Sequence, residues 1–294
     1  MTRDSLQKQM AGQAKNGLSR IVGLWNYTLR GRWIVTRRYC MHSPRIPEAF
    51  DGYRIVQVSD LHGRMMGREQ KRLRDAVLAL RPDLILITGD WVDRVYKPAE
   101  QRAARSMFRE MAGIAQTYAI LGNHETQSPA MPEILRDVDE SPVKLLRNES
   151  VIISRGGAGV RLSGLETGTT SGLGRATGDP DNLEPVLEAM FGGRSAEDPY
   201  TILMGHKPEY LPLYAKYGTD LVFSGHAHGG LIRVGRFALL APGQGLFPRY
   251  TKGIYREGHT AEIVSCGLGG PRLGIRPELV LAVLASDAGT DQKE

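Results

Sequence analysis

Five short apolar runs in this chain each end in Asp, Asn or His. Ile55-Val56-Gln57-Val58 leads into Ser59-Asp60-Leu61-His62-Gly63. Leu84 to Thr88 leads into Gly89-Asp90-Trp91-Val92-Asp93, and Tyr118 to Leu121 into Gly122-Asn123-His124-Glu125. Thr201 to Met204 stops at Gly205-His206, and Leu221 to Ser224 at Gly225-His226-Ala227-His228. Short unbroken apolar runs bounded in this way read as buried strands, the kind a parallel sheet covered on both faces contains. In open α/β sheets, ligands bind beyond the carboxyl ends of the strands. Gly at those ends lets the backbone turn tightly and leaves room for a ligand. A lone Asp-x-His would fit a capping Asp beside a surface His. Five such endings, holding five of the seven histidines, point instead to one polar site assembled from strand ends.

The intervening segments read as helices over Glu69–Leu80, Pro98–Ile114, 129–138 and Asn182–Phe191. Strands alternating with helices imply βαβ units and parallel pairing. Val151–Ile153 and Val160–Leu162 flank Gly156-Gly157-Ala158-Gly159 and read as a hairpin. No helix follows that Gly cluster, so it is not a dinucleotide fingerprint. Residues 166–182, rich in Gly, Thr and Ser, read as a flexible loop near the site. After His228 come short strands near Leu231–Val234, Phe237–Leu240, Gly253–Arg256 and Ile263–Cys266. Gly243-Gln244-Gly245 and Gly267-Leu268-Gly269-Gly270 connect them, and Leu279–Leu284 is a last strand. Parallel units first and antiparallel strands later fit two packed sheets with helices outside.

Charge is unevenly placed. Residues 1–47 hold nine Lys or Arg against Asp4 alone, a net +8 in a chain of net +6, which leaves −2 for residues 48–294. A broadly basic nucleic-acid surface is not what this distribution suggests, and no nucleic-acid partner is expected. Leu18, Ile21, Val22, Trp25, Leu29 and Trp33 recur at steps of three and four, a helical stripe accompanied by Arg20, Arg30 and Arg32. Such a stripe can lie in a membrane interface, and it can equally pack on protein. The expected division is a basic amphipathic arm (1–47), a catalytic domain (48–286) and a disordered tail (287–294). No run approaches the roughly 18–20 apolar residues of a membrane span. The first 16 residues are polar and lack a signal-peptide core, and Arg37-Arg38 precedes no apolar run. Cys40 and Cys266 fit neither a metal spacing nor a disulfide framework. The expected location is cytoplasmic, with peripheral contact to the inner face of the membrane through residues 17–38.

The clustered oxygen and imidazole donors, with no thiolate among them, suit zinc, manganese or iron. Asp60, His62, Asp90, Asn123, His206, His226 and His228 suffice for two divalent ions if one carboxylate bridges. Two metals about 3.5–4 Å apart can clamp an in-line displacement at phosphorus. His124 is left over as a candidate acid.

These five motifs, in this order and with these spacings, resemble those of the calcineurin-like metallophosphoesterase superfamily across residues 55–230. The Gly245-to-Gly253 stretch and Pro277-Glu278 resemble a bacterial branch of predicted phosphodiesterases, the YkuE and YaeI types. The resemblance implies a metallophosphatase fold of the α/β class (α+β by some schemes), a four-layer αββα sandwich of two mixed β-sheets flanked by helices. It also implies roles. Asp60, His62, Asp90 and His228 would hold one ion, and Asp90, Asn123, His206 and His226 the other, with Asp90 bridging. His124 would stabilise the transition state or protonate the leaving oxygen, and Asp93 would act as a capping or supporting carboxylate. The implied activity is hydrolysis of a phosphoric ester or anhydride, a phosphodiester or pyrophosphate borne by a lipid such as UDP-2,3-diacylglucosamine. A nuclease or cyclic-nucleotide phosphodiesterase is the alternative. A non-catalytic scaffold fits poorly, because none of the motif residues is missing.

Overall fold

The computed structural model describes residues 34–166, 182–195, 197–234, 237–270 and 275–287. In chain order its strands are β1 (Val35–Ser43), β2 (Arg54–Val58), β3 (Leu84–Thr88), β4 (Gln116–Ile120), β5 (Lys144–Leu145), β6 (Glu149–Arg155), β7 (Ala158–Leu165), β8 (Thr201–Gly205), β9 (Leu221–Ser224), β10 (Ile232–Val234), β11 (Phe237–Ala241), β12 (Gly245–Leu246), β13 (Gly253–Glu257), β14 (Thr260–Val264) and β15 (Glu278–Ser286). Its helices are α1 (Lys71–Leu78), α2 (Pro98–Ala112), α3 (Asn123–Thr126), α4 (Met131–Asp139), α5 (Glu184–Phe191) and α6 (Leu211–Lys216).

Two six-stranded mixed sheets result, ordered β1-β15-β2-β3-β4-β5 and β13-β14-β9-β8-β7-β6, with β10, β11 and β12 forming a separate small sheet. Strand alternation divides the apolar runs between layers. Ile55, Leu84 and Leu86 face the core between the two sheets, where Leu162, Met204 and Phe223 of the second sheet meet them. Val56, Ile85 and Ile87 face the other way, onto Val77 of α1 and Met107 and Phe108 of α2. On the far side, Leu203 and Val222 pack against Leu187 and Phe191 of α5 and Tyr214 of α6. A strand wanted by apolar layers on both faces has no polar face, which is why these runs do not alternate. The expected αββα sandwich is the fold observed.

Residues 35–43, which the sequence pattern leaves in the basic arm, instead form β1, paired in parallel with β15 at the sheet edge. Arg37 reaches Glu278 at 3.1 Å, and Arg45 reaches Asp220 at 2.7 Å. Charged side chains on an edge strand discourage pairing with other chains, and here they mask the strand as an arm. Of the segment 17–38 proposed for membrane contact, the structure describes 34–38 alone, and Val35–Arg38 opens β1 rather than a helix. The amphipathic stripe, the tail from 288 and residues 167–181 of the Gly-rich loop lie outside the described residues.

Other boundaries shift for local reasons. The helix expected from Glu69 starts at Lys71, because Glu69 and Gln70 take left-handed conformations. The buried Gln70 amide there accepts from Met66 N and donates to the carbonyls of Arg64 and Ala103. The hairpin turn is Gly156-Gly157 alone, with Ala158 already paired to Arg155. Both glycines have positive φ, as a two-residue type I′ turn requires.

Candidate metal centre and active site

The carboxyl ends of β2, β3 and β4, neighbours in one sheet, open onto the same groove as those of β8 and β9, neighbours in the other. The loops leaving them are laced together by backbone hydrogen bonds: Asp60 N to Gly89 O, His62 N to Asp90 O, and Gly225 N to His206 O, each 3.0 Å. Asp60, His62, Asp90, His226 and His228 all have φ between +50° and +62°. Non-glycine residues rarely adopt this region, at a cost of about 1–3 kcal/mol each, and such outliers cluster at functional sites.

Three groups of donor atoms emerge among the described residues; one, His62, Asp93 and His124, shares His62 and is the least buried, and the other two lie deeper. Of these two, Asp60, His62 and His228 form one, and Asp90, His206 and His226 the other, each with its atoms within 4.8 Å of one another. Asp90 links them: its Oδ2 lies 3.2 Å from His206 Nε2 and 4.0 Å from His62 Nε2. Asn123 Oδ1 is 3.2 Å from His206 Nε2 and so joins the second group.

Outer contacts turn each donor inward. His206 Nδ1 donates to Thr88 O at 2.8 Å, leaving Nε2 for the groove. His62 Nδ1 donates to Asp93 Oδ1 at 2.7 Å, and its buried Nε2 has no hydrogen-bond partner among the described residues. Asp60 accepts from His226 N at 3.0 Å and Ser59 Oγ at 2.5 Å. Asp90 Oδ1 accepts from His124 N at 2.9 Å. Close approach also dictates residue size: a Cβ on Gly122 would stand 2.2 Å from Asp90 Oδ1.

Two buried carboxylates among imidazoles make a hollow that favours cations. Burial pushes the Asp60 carboxyl up, against the pull of His206. Burial works the same way on Asp90, yet the adjacent His206 holds that carboxyl well below the usual range. For His206 itself, Asp90 outweighs burial and raises the imidazole to about 10. An orphaned imidazole nitrogen, pre-turned ring nitrogens and an all-oxygen-and-nitrogen donor set fit divalent ions of the zinc, manganese and iron type.

The seven expected ligands therefore come together in one groove, and His124 stands at its rim. His124 Nδ1 lies 3.3 Å from Asp93 Oδ1, the same oxygen that His62 holds. Asp93 thus joins the two histidines. Residues without an assigned role in the sequence pattern also prove central. Glu125 is fully buried, and its carboxylate accepts from Asp90 N (2.9 Å), Gly122 N (2.8 Å) and Val92 N (3.0 Å). That one side chain ties the ends of β3 and β4 together. Its place as the third residue of α3, the capping-box position, is the signal that could have found it. Gly267-Leu268-Gly269-Gly270, expected as a mere connector, is a wall of the site. Gly269 N donates to Asp60 O at 2.6 Å, and a Cβ on Gly270 would meet the His228 ring at 2.6 Å.

The model of the calcineurin-like phosphoesterase family matches residues 53–230, and the chain belongs to that family. It is accordingly a metallophosphoesterase, a hydrolase of phosphoric esters, and the family together with the two donor groups points to a dinuclear divalent-metal site. The metallophosphoesterase YkuE of Bacillus subtilis is 27% identical, covering 97% of this chain and 98% of its own. A transmembrane protein with metallophosphoesterase domain from Bos taurus is 30% identical over 82% of this chain, which spans 54% of that longer protein. Among solved structures, the sulfate thiohydrolase SoxB of Thermus thermophilus superposes with a TM-score of 0.50 at 15% identity, over 82% of this chain and 58% of that one. That likeness is one of fold. No helix among the described residues is long and apolar enough to cross a membrane.

Proposed function

We propose that the chain is a two-metal phosphodiesterase. Asp60, His62, Asp90 and His228 would hold one ion, and Asp90, Asn123, His206 and His226 the other. The observation that carries this assignment is the position of Asp90 Oδ2, which faces His206 of one donor group at 3.2 Å and His62 of the other at 4.0 Å. When bound, two divalent ions supply Lewis-acid charge to phosphoryl oxygens and activate water.

The chain's own residues do the rest. Asp93 stays ionised: burial opposes its charge, but His124 and His62 hold it well below the ordinary carboxylate range. An anionic Asp93 holds the proton of the His62 ring on Nδ1. His62 is then oriented with Nε2 inward, and His124, in its doubly protonated form, gives its Nε2 proton to the leaving oxygen and keeps the one on Nδ1. Glu125 holds the Asp90 and Asn123 loops at fixed spacing, so that substrate oxygens meet a preformed site. The preferred substrate is a phosphodiester or pyrophosphate carried at a membrane surface. The basic residues and Trp25 and Trp33 of the amino-terminal segment support this reading.

The test is metal dependence on bis-p-nitrophenyl phosphate. Chelation should abolish turnover, and manganese, zinc or iron should restore it. Lipid diphosphates and nucleotide diesters, compared next, should rank with the lipids first. Full turnover by a chain verified as metal-free would refute the two-metal reading, and a preference for nucleotides would refute the lipid assignment.

A further inference from the structure

Seven large apolar side chains are exposed among the described residues, and four of them fall within one short segment: Ile232 (43%), Phe237 (61%), Leu246 (72%) and Phe247 (78%). The other three lie apart, Leu78 on α1, Val95 in the β3–α2 loop and Ile152 on β6. The segment is the small sheet β10–β12, which among the described residues pairs with no strand of either large sheet. Soluble surfaces scatter such residues singly, and a cluster marks an interaction surface. Phe247 also holds a φ of 53°, uncommon for a bulky residue.

Charge accompanies the cluster. Between Gly229 and Arg256 the sequence carries five Arg or Lys and no Asp or Glu, although residues 48–294 sum to −2. Phe237 and Phe247 share a hollow of about 610 Å³ with Arg233, Arg249 and Lys252. An apolar tip with a basic collar complements an anionic bilayer. The apolar side chains enter the acyl boundary, the rings sit at headgroup level, and the cations meet lipid phosphates.

The base of this ribbon belongs to the active site. β10 begins four residues after His228, and Arg233 Nη1 donates to Gly229 O at 2.8 Å. In the β11–β12 turn, a Cβ on Gly243 would stand 3.0 Å from His226 Nε2. Whatever covers the ribbon therefore lies at the mouth of the metal groove.

We propose that the β10–β12 ribbon is a membrane-docking element that seats the catalytic groove on an anionic lipid surface. This deepens the reading of a membrane-borne substrate and rests on it for its purpose, but not for its test. Full-length chain is sedimented with vesicles of phosphatidylcholine containing phosphatidylglycerol, or with phosphatidylcholine alone. Wild type should bind the anionic vesicles, less so at high salt. Leu246→Ser/Phe247→Ser should weaken binding at least about tenfold, the order expected when large apolar side chains no longer leave water. Arg249→Glu/Lys252→Glu should reduce the preference for phosphatidylglycerol, leaving the share that the basic amino-terminal segment contributes. Both pairs should hydrolyse soluble bis-p-nitrophenyl phosphate at the wild-type rate, because none of the four residues is placed in the catalytic machinery. Wild type that fails to bind anionic vesicles, or a Leu246→Ser/Phe247→Ser variant that binds as well as wild type, overturns the proposal. So does a variant whose only change is loss of self-association, since the patch would then be a contact between copies. Vesicle binding without any diester hydrolysis would instead overturn the function proposed above and leave the docking element standing.

Discussion

Glu125→Gln keeps the size of the side chain and changes one oxygen to an amide nitrogen. In the native site one carboxylate oxygen accepts from both Asp90 N and Gly122 N, and the other from Val92 N. Glutamine can satisfy one side of this arrangement, and its NH2 group then faces a backbone N–H, donor against donor. If the remaining oxygen keeps the Asp90 and Gly122 pair, the bond to Val92 N is lost at the fully buried Glu125 position. Burial and the nearby Asp90 push the Glu125 carboxyl up to about 7, so the comparison belongs at pH 8, where it is ionised: a hydrogen bond to a charged group contributes about 1.5–3 kcal/mol, and a stranded buried donor costs about 1–3 kcal/mol. The two overlap, so a destabilisation of about 2–4 kcal/mol is expected, a large share of a typical domain's stability of about 5–15 kcal/mol. At roughly 2–4 °C per kcal/mol for a domain of this size, the melting temperature should fall by about 5–15 °C. The same change loosens the loops carrying Asp90 and Asn123, so metal affinity should drop roughly 10–100-fold, as for other groups that orient ligands. Scanning calorimetry of the metal-free chain reads the first effect, and metal titration reads the second. A melting temperature within about 1 °C of wild type, together with unchanged metal affinity, would refute the role given to Glu125.

Asp90→Ala should remove metal and turnover together, because one oxygen faces both donor groups; metal analysis that finds two ions still bound would contradict this. His124→Ala should keep its metals but lose roughly 10²–10⁴ in kcat, the usual contribution of a positioned acid. Its deficit should shrink with more acidic leaving groups, and equal deficits across a leaving-group series would count against proton donation. Glu262 tests the electrostatics beneath the site. Burial raises its carboxyl well above the ordinary range, although Ser224 Oγ donates to it at 2.5 Å. The folded state therefore keeps a proton that the unfolded state releases. Its stabilising share is full below the unfolded carboxylate pKa and is lost as pH rises above it, by up to about 1.4 kcal/mol per pH unit. Glu262→Gln should consequently be more stable relative to wild type at pH 8 than at pH 5. Denaturant melts that show the same difference at both pH values would refute this.

Local pattern determined much of this protein. A strand sandwiched between apolar layers must be apolar at every position, and a site at strand ends must place its polar residues directly after those runs. Both constraints act within a few residues, so Ile55–Val58 with Asp60 and His62, or Leu221–Ser224 with His226 and His228, could be read without a structure. What depended on partners distant in sequence could not. Val35–Ser43 becomes a strand because β15 runs beside it and Glu278 meets Arg37; its own composition resembles an exposed arm. Gln70 ends the reach of α1 because its amide finds Ala103 in α2. Glu125 shows in the sequence only its capping-box spacing from Gly122; its hold on Asp90 and Val92 exists only once folding brings them within reach of one carboxylate. Gly267–Gly270 resembles any flexible connector until it is laid against Asp60 and His228. Seven donors could be listed along the chain, but their separation into two groups joined through Asp90 Oδ2 exists only where the edges of two sheets converge, because metal-binding geometry is set by distances of a few ångströms between residues up to 168 positions apart.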